Sequence, residues 1–295
     1  MNKIKTKNSI ISIIIDYLED SFKDNIISVY GIGSYFDKTL PSDWKITDID
    51  VIVIVNSFDK IPKHEWTEVR YETKNIKNSK VWLGYNTLQG LKKKNEFTHE
   101  SFANYEWSVL DLKCPENSQL LYGNDIRSQL PKISDLIYDF DDIFTRSLYH
   151  LNKSLKETNS SEKSLISKRE FTKAVFKFGF YLCKYFDKSY YLTSVLNTST
   201  HIANLQIDNK IKKNIQYFIK ESKIFRRTDK FSTNFKILRK NFIFFIFSLL
   251  RNGSLHRKLE FQELVNYLEK KFNGLPYLTR YIKIAKKIYD SSKIL

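Results

Sequence analysis

Two cysteines, Cys114 and Cys183, are all that the 295 residues contain, too few for a disulfide framework or a four-thiolate zinc site. A reducing, cytoplasmic setting is the expectation. Glycine and proline are scarce as well, at 8 and 5, which leaves little material for the many tight turns of an all-β protein and favours helix. Long apolar runs are missing too. The longest, over 242–250, spans nine residues against the ~20 that a bilayer-crossing helix needs. The apolar run after Lys3, Lys5 and Lys7 stops at Asp16 after six residues, short for a signal peptide. No membrane partner is expected.

What the chain does contain is apolar and aromatic. With 42% hydrophobic residues, 22 Phe and 18 Tyr, it has the material for real cores and is not globally disordered. Its length suits two domains of roughly 130–160 residues. The net charge of +16 is unevenly placed. Residues 1–130 carry 17 Lys and Arg against 18 Asp and Glu (−1), and residues 131–295 carry 32 against 15 (+17). A Lys-rich composition alone would have made the first half basic too, so the second half is read as the part that meets an anionic partner.

Apolar residues at three- and four-residue steps from Ile11 to Phe22 predict an amphipathic helix. A β-branched and aromatic run from Ile26 to Tyr30 then ends in Gly31-Ile32-Gly33, a strand running into a turn, with Ser34 opening a short helical turn. The stretch 48–55, Asp-Ile-Asp-Val-Ile-Val-Ile-Val, is too continuously apolar for a surface strand and is expected at the centre of its sheet. Further on, the pattern predicts a helix over 62–77, a strand over 81–85, a helix starting at 87–91 and a strand over 107–113. Beyond Pro131 only helical period is visible, over 133–155, 165–185, 207–225, 234–250, 261–272 and 277–288, with loops at 159–161 and 198–200. The expected fold class is α+β: a mixed sheet with helices over 1–130, followed by an all-α helical domain over 131–295.

The chemistry concentrates at Tyr30-Gly31-Ile32-Gly33-Ser34, thirteen intervening residues, and Asp48-Ile49-Asp50. A strand ending in Gly-x-Gly-Ser lets the backbone approach a phosphate closely, and a helix N-terminus after it would offer free N–H groups to the anion. Residues i and i+2 of a strand share a face, so Asp48 and Asp50 present two carboxylates ~7 Å apart, a pair suited to a hard cation. Unpaired on a central strand they would be costly, and metal binding is the natural account of them.

These residues resemble the DNA polymerase β superfamily of nucleotidyltransferases, including its minimal and aminoglycoside-type members, over roughly residues 25–125. Thr87-Leu88-Gln89 and Leu120-Leu121-Tyr122-Gly123-Asn124-Asp125 are similar to later landmarks of such domains. The resemblance implies a polymerase β-type sheet and transfer of NMP from an NTP, ATP foremost, to a hydroxyl, with release of pyrophosphate. It implies two Mg²⁺ ions on the Asp pair, with Gly33 and Ser34 at the nucleotide. It also implies a third carboxylate on a neighbouring strand. The expected strand, Val81 to Asn86, carries none, and Asp111 is the candidate third metal ligand and catalytic acid, with Glu106 the second choice.

In the basic half, Arg169 and Lys173 lie one helical turn apart and are candidates for gripping the nucleotide's phosphates. Lys212-Lys213, Arg226-Arg227 and Arg239-Lys240, among Tyr217, Phe225, Phe231 and Phe235, form either a basic-aromatic surface for single-stranded nucleic acid or a solvated face over an aromatic core. Arg251-Asn252-Gly253-Ser254-Leu255-His256 resembles the Arg-x4-His motif of HEPN-type helical domains, which cleave RNA, and Gly253 reads equally as a helix C-cap. The remaining histidines, His64, His99, His150 and His201, have no zinc-ligand spacing. The acceptor expected from the +17 balance is anionic, RNA or tRNA ahead of a protein, with small cationic molecules last. The competing readings are a non-catalytic nucleotide- or RNA-binding protein of antitoxin type, and an RNase regulated by the first half.

Overall fold

The computed structural model of the chain describes residues 10–61, 70–92, 106–135, 150–155 and 160–252, with 266, 270, 286 and 287. The predicted regions 62–69, 261–272 and 277–288, the side chain of Glu106, and His64, His99 and His256 lie wholly or largely outside them. The chain divides into a sheet unit (1–42, 46–136 and 191–194) and a helical unit (43–45, 137–190 and 195–295). Among the described residues no helix is long and apolar enough to cross a membrane.

In the sheet unit, α1 (Ile10–Phe22) is followed by β1 (Ile26–Ile32), β2 (Asp48–Val55), β3 (Arg70–Ile76), β4 (Ser79–Thr87), α2 (Leu88–Lys92), α3 (Glu106–Lys113) and β5 (Ser118–Gly123). The strands form one mixed sheet in the order β3-β4-β2-β1-β5. Strand β2 is central, parallel to β4 and antiparallel to β1. Its odd-numbered residues Ile49, Val51, Val53 and Val55 pack with Val29, Val81, Leu83 and Tyr85 against Ile14 and Leu18 of α1. This one-sided burial fixes the register, because a slip of one residue would turn the whole apolar set outward. It also sends Asp48, Asp50, Ile52 and Ile54 to the opposite face.

Two segments of the sheet unit change type from the sequence expectation. Residues 70–76 are strand, not helix, and Lys77 and Asn78, at φ of 47° and 63°, make the two-residue turn whose twist suits a hairpin. Pairing with β4 along its whole length outweighs the weak helical spacing. Residues 107–113 lie in helix α3, not in a strand. An apolar group such as Val109, Leu110 and Leu112 fits either period, and burial of all three, with α3 packed on β1 and β5, decides for helix. The fifth strand is the stretch 118–123, whose C-terminal continuation is anchored under the sheet. The Tyr30 hydroxyl accepts the Ile126 N–H at 2.8 Å and donates to Asp125 Oδ1 at 3.0 Å. Burial pushes the Tyr30 phenol up to about 12, and Arg127 chelates the Asp125 carboxylate, Nη2 to Oδ2 at 2.6 Å.

The helical unit contains α4 (Ser161–Phe186), α5 (Val195–Asn204), α6 (Asn209–Thr228) and α7 (Phe235–Asn252). Ser160 and Asp208 cap α4 and α6 by accepting backbone N–H groups of their first turns, as N-cap side chains do. The residues 198–200, expected in a loop, fall inside α5, where Thr198 and Ile202 are buried one turn apart. Residues 133–135 are a 3-10 turn. Phe171, Phe178, Phe218 and Phe242 form an edge-to-face aromatic core, and Phe225, Phe231 and Phe235 stack beside it. Arg226 and Arg239 are themselves buried, at 4% and 2% exposure, and Arg226 donates to the Lys45 carbonyl at 3.0 Å. Of the residues read as either a basic-aromatic surface or an aromatic core, Phe225, Arg226 and Arg239 are buried, Phe231 and Phe235 are partly buried in the stack, and Tyr217 and Arg227 are exposed.

Candidate functional site

Three segments meet on the face of the sheet opposite α1. Asp50 stands across from Ile32 in the β1–β2 ladder, so the residue after β1, Gly33, lies beside its carboxylate. Gly33 has φ +73°, and a Cβ built on it would lie 3.1 Å from Asp50 Oδ2 and 3.8 Å from Asp50 Cβ. Gly33 and Asp50, seventeen residues apart in the chain, are thus neighbours, and glycine is favoured there both by the left-handed backbone and by the approach of the carboxylate. Asp48 and Asp50, two residues apart on β2, share that face and are partly exposed, while the intervening Ile49 is buried on the other side. Thr47 Oγ1 donates to Asp48 Oδ1 at 3.0 Å.

The turn itself departs from expectation. No helix follows Ser34: the Phe36 N–H donates to the Gly33 carbonyl at 3.0 Å, Asp37 accepts from Thr39, and the chain continues through turns to β2. A phosphate at Gly33 and Ser34 would meet turn N–H groups without the dipole of a helix N-terminus behind them.

On the other side of β2, the parallel neighbour β4 sets Lys80 opposite Asp48 and Trp82 opposite Asp50. These are the positions facing the Asp pair, and neither is an acid. Asp111, the candidate third ligand, lies on α3, between the buried Leu110 and Leu112, not on a strand beside β2. Among the described residues no three His, Cys, Asp or Glu side chains are grouped as a metal ion would require. The expected set Asp48, Asp50 and Asp111 is therefore not assembled as a three-carboxylate centre. The donor set fits one hard divalent cation held by Asp48 and Asp50, with the rest of its oxygen ligands coming from a bound polyphosphate.

Of the residues expected at the phosphates from the helical half, Arg169 is engaged with Asp229, Nη2 to Oδ1 at 3.5 Å. Lys173 stands close enough to a buried pair, His150 and Glu170, to act on both. That pair, Nδ1 to Oε2 at 2.8 Å, has a direction: burial, with Lys177 nearby, pulls His150 down to about 3, so at neutral pH the ring is uncharged and donates to an ionised Glu170. His201 lies against Asp187 at 3.2 Å and stacks on Tyr190. Both described histidines thus have structural partners. Arg251 falls in the last turn of α7.

Sequence reasoning missed Trp82 and Tyr71. Tyr71 is paired with Gly84 on the same face, and its ring lies 6.1 Å from that of Trp82 at 30°. The available signal was the spacing Trp82-Leu83-Gly84, an aromatic two residues from a glycine on an alternating strand.

No protein family and no curated protein matches this sequence. Among solved structures, the chain is similar to a nucleotidyltransferase-like protein from Exiguobacterium sibiricum, at 11% identity over 88% of this chain and 90% of that one, with a TM-score of 0.24. A likeness of that degree does not bear on the activity of this chain.

Proposed function

We propose that the sheet unit binds a nucleoside triphosphate with one divalent cation and transfers its NMP to a hydroxyl acceptor, releasing pyrophosphate. The supporting observation is the closeness of the Gly33 backbone to the Asp50 side chain, a Cβ at Gly33 falling 3.1 Å from Asp50 Oδ2, which joins a phosphate-permissive turn to a two-carboxylate strand. Gly33 and Ser34 would take the phosphates, and Asp48 and Asp50 would hold Mg²⁺. When bound, that ion neutralises phosphate charge and polarises the phosphorus under attack. The chain's own contribution is placement: the rigid central strand fixes both carboxylates, and the bare Gly33 backbone leaves the phosphates room beside them. The acceptor proposed is an anionic polymer, RNA or tRNA before a protein, because the excess of 32 basic over 15 acidic residues lies in 131–295. Arg169 and Lys173 remain candidate phosphate contacts of that half.

A second reading, nucleotide binding without transfer, is favoured by one observation: Lys80 and Trp82 face the Asp pair where the resemblance implies a third carboxylate. One experiment separates the two. The protein is incubated with α-labelled ATP, Mg²⁺ and total cellular RNA or lysate, and binding is measured beside label transfer. Transfer that is lost in both Asp48→Asn and Asp50→Asn, each folded by circular dichroism, supports the transferase. Mg²⁺-dependent ATP binding with no transfer to any fraction supports the second reading, and absence of binding refutes both.

A further inference from the structure

We propose that Trp82, with Tyr71 beside it, is the seat for the base of the nucleotide held at Gly33, Asp48 and Asp50, a proposal that rests on the nucleotide reading above. In the parallel β2–β4 ladder Trp82 is the residue opposite Asp50, so their side chains leave the same face of the sheet from backbones ~4.8 Å apart. The indole does not stand upright. A Cβ at Gly84 would lie 2.2 Å from its Cη2 and 2.5 Å from its Cζ3, so the ring is laid along β4 over bare glycine backbone. Tyr71, paired with Gly84 from β3, brings its ring to 6.1 Å from the indole centroid at 30°. Both rings are partly exposed and lie outside the apolar cluster under α1.

The offset between the carboxylates and this platform suits a nucleotide. Leaning from position 82 over position 84 carries the indole ~6.6 Å along the strand, away from the level of Asp50. A ribose spans a gap of that order between the α-phosphate and the base. The direction is also right: Gly33 and Asp48 lie toward one end of the β2 face, and Gly84 lies toward the other. Aromatic stacking reads the face of a base and not its hydrogen-bonding edge, so this seat favours ring area: purine over pyrimidine triphosphates, without strict choice between adenine and guanine.

The test uses calorimetry on the full chain with Mg²⁺ and two ligands, ATP and inorganic tripolyphosphate. Wild type binds ATP more tightly than tripolyphosphate. Trp82→Ala weakens ATP by roughly 5- to 150-fold, the range for losing one base–aromatic stack, and leaves tripolyphosphate unchanged. Trp82→Phe, folded and still aromatic, recovers most of the ATP affinity. Equal wild-type affinity for the two ligands, or an unchanged ATP affinity in Trp82→Ala, overturns the base seat while leaving the phosphate site standing. Parallel loss of both ligands in Trp82→Ala and Trp82→Phe also overturns it, since Trp82 would then only support the fold. Absence of binding by wild type to either ligand refutes the nucleotide reading itself.

Discussion

Replacing Gly33 separates what the turn does for the fold from what it does for the site. At φ +73° an alanine sits in the left-handed region, which costs an L-residue about 1–2 kcal/mol. Its Cβ would also lie 3.1 Å from Asp50 Oδ2, close enough that the carboxylate must move by a few tenths of an ångström. Gly33→Asn adds the same Cβ, but asparagine visits the left-handed region at lower cost. Gly33→Ala should therefore lose about 1–2 kcal/mol in urea unfolding, and Gly33→Asn clearly less. Both should weaken Mg²⁺-dependent ATP binding to a similar degree, about tenfold, because both displace Asp50. Calorimetry beside the unfolding curves reads the two effects independently. If Gly33→Asn binds ATP as wild type does, the contact with Asp50 has no part in binding; if Gly33→Ala unfolds at the wild-type midpoint, the backbone argument is wrong.

Other consequences concern parts of the molecule away from that turn. Tyr30→Phe removes the acceptor of the buried Ile126 N–H and the donor to Asp125, and should cost about 1–3 kcal/mol for the orphaned group with ATP affinity unchanged; a loss below about 0.5 kcal/mol, no more than an ordinary surface substitution causes, would show that the segment 124–127 is held otherwise. His150 titrates at its ordinary 6.5 when unfolded and is pulled down to about 3 in the fold, so the unfolded chain binds the extra proton between those values. Stability from this group is complete above pH 6.5 and falls as the pH drops toward 3, by up to ~1.4 kcal/mol per pH unit. Glu170, Lys153, Lys173 and Lys177 act on the pair, and His150→Gln should flatten that part of the profile; urea unfolding at about pH 7.5, 5.5 and 4.5 with identical slopes in both proteins would contradict it.

The sequence by itself determined the elements whose signal is local and strong. Eight residues of nearly unbroken β-branched character could only be a buried strand, and the two-residue period then placed Asp48 and Asp50 on one face whatever the partners. The helix 10–22 followed from its apolar spacing in the same way, and α4, α6 and α7 from theirs, while α5, whose residues 198–200 read as a loop, did not. Short stretches were different. Residues 70–76 and 106–113 fit either period, and only pairing with β4 in one case and packing on β1 and β5 in the other chose between them. Tertiary structure alone decided what faces the Asp pair. The resemblance implied 81–86 as the neighbouring strand, but the register that sets Lys80 opposite Asp48 and Trp82 opposite Asp50 depends on a ladder that no local pattern encodes. The same holds for charge. Arg226 and Arg239 count toward the basic balance of the chain, yet their burial follows from packing among aromatic rings, because a guanidinium with a carbonyl to bond and an aromatic face to cover can leave water where a bare charge cannot.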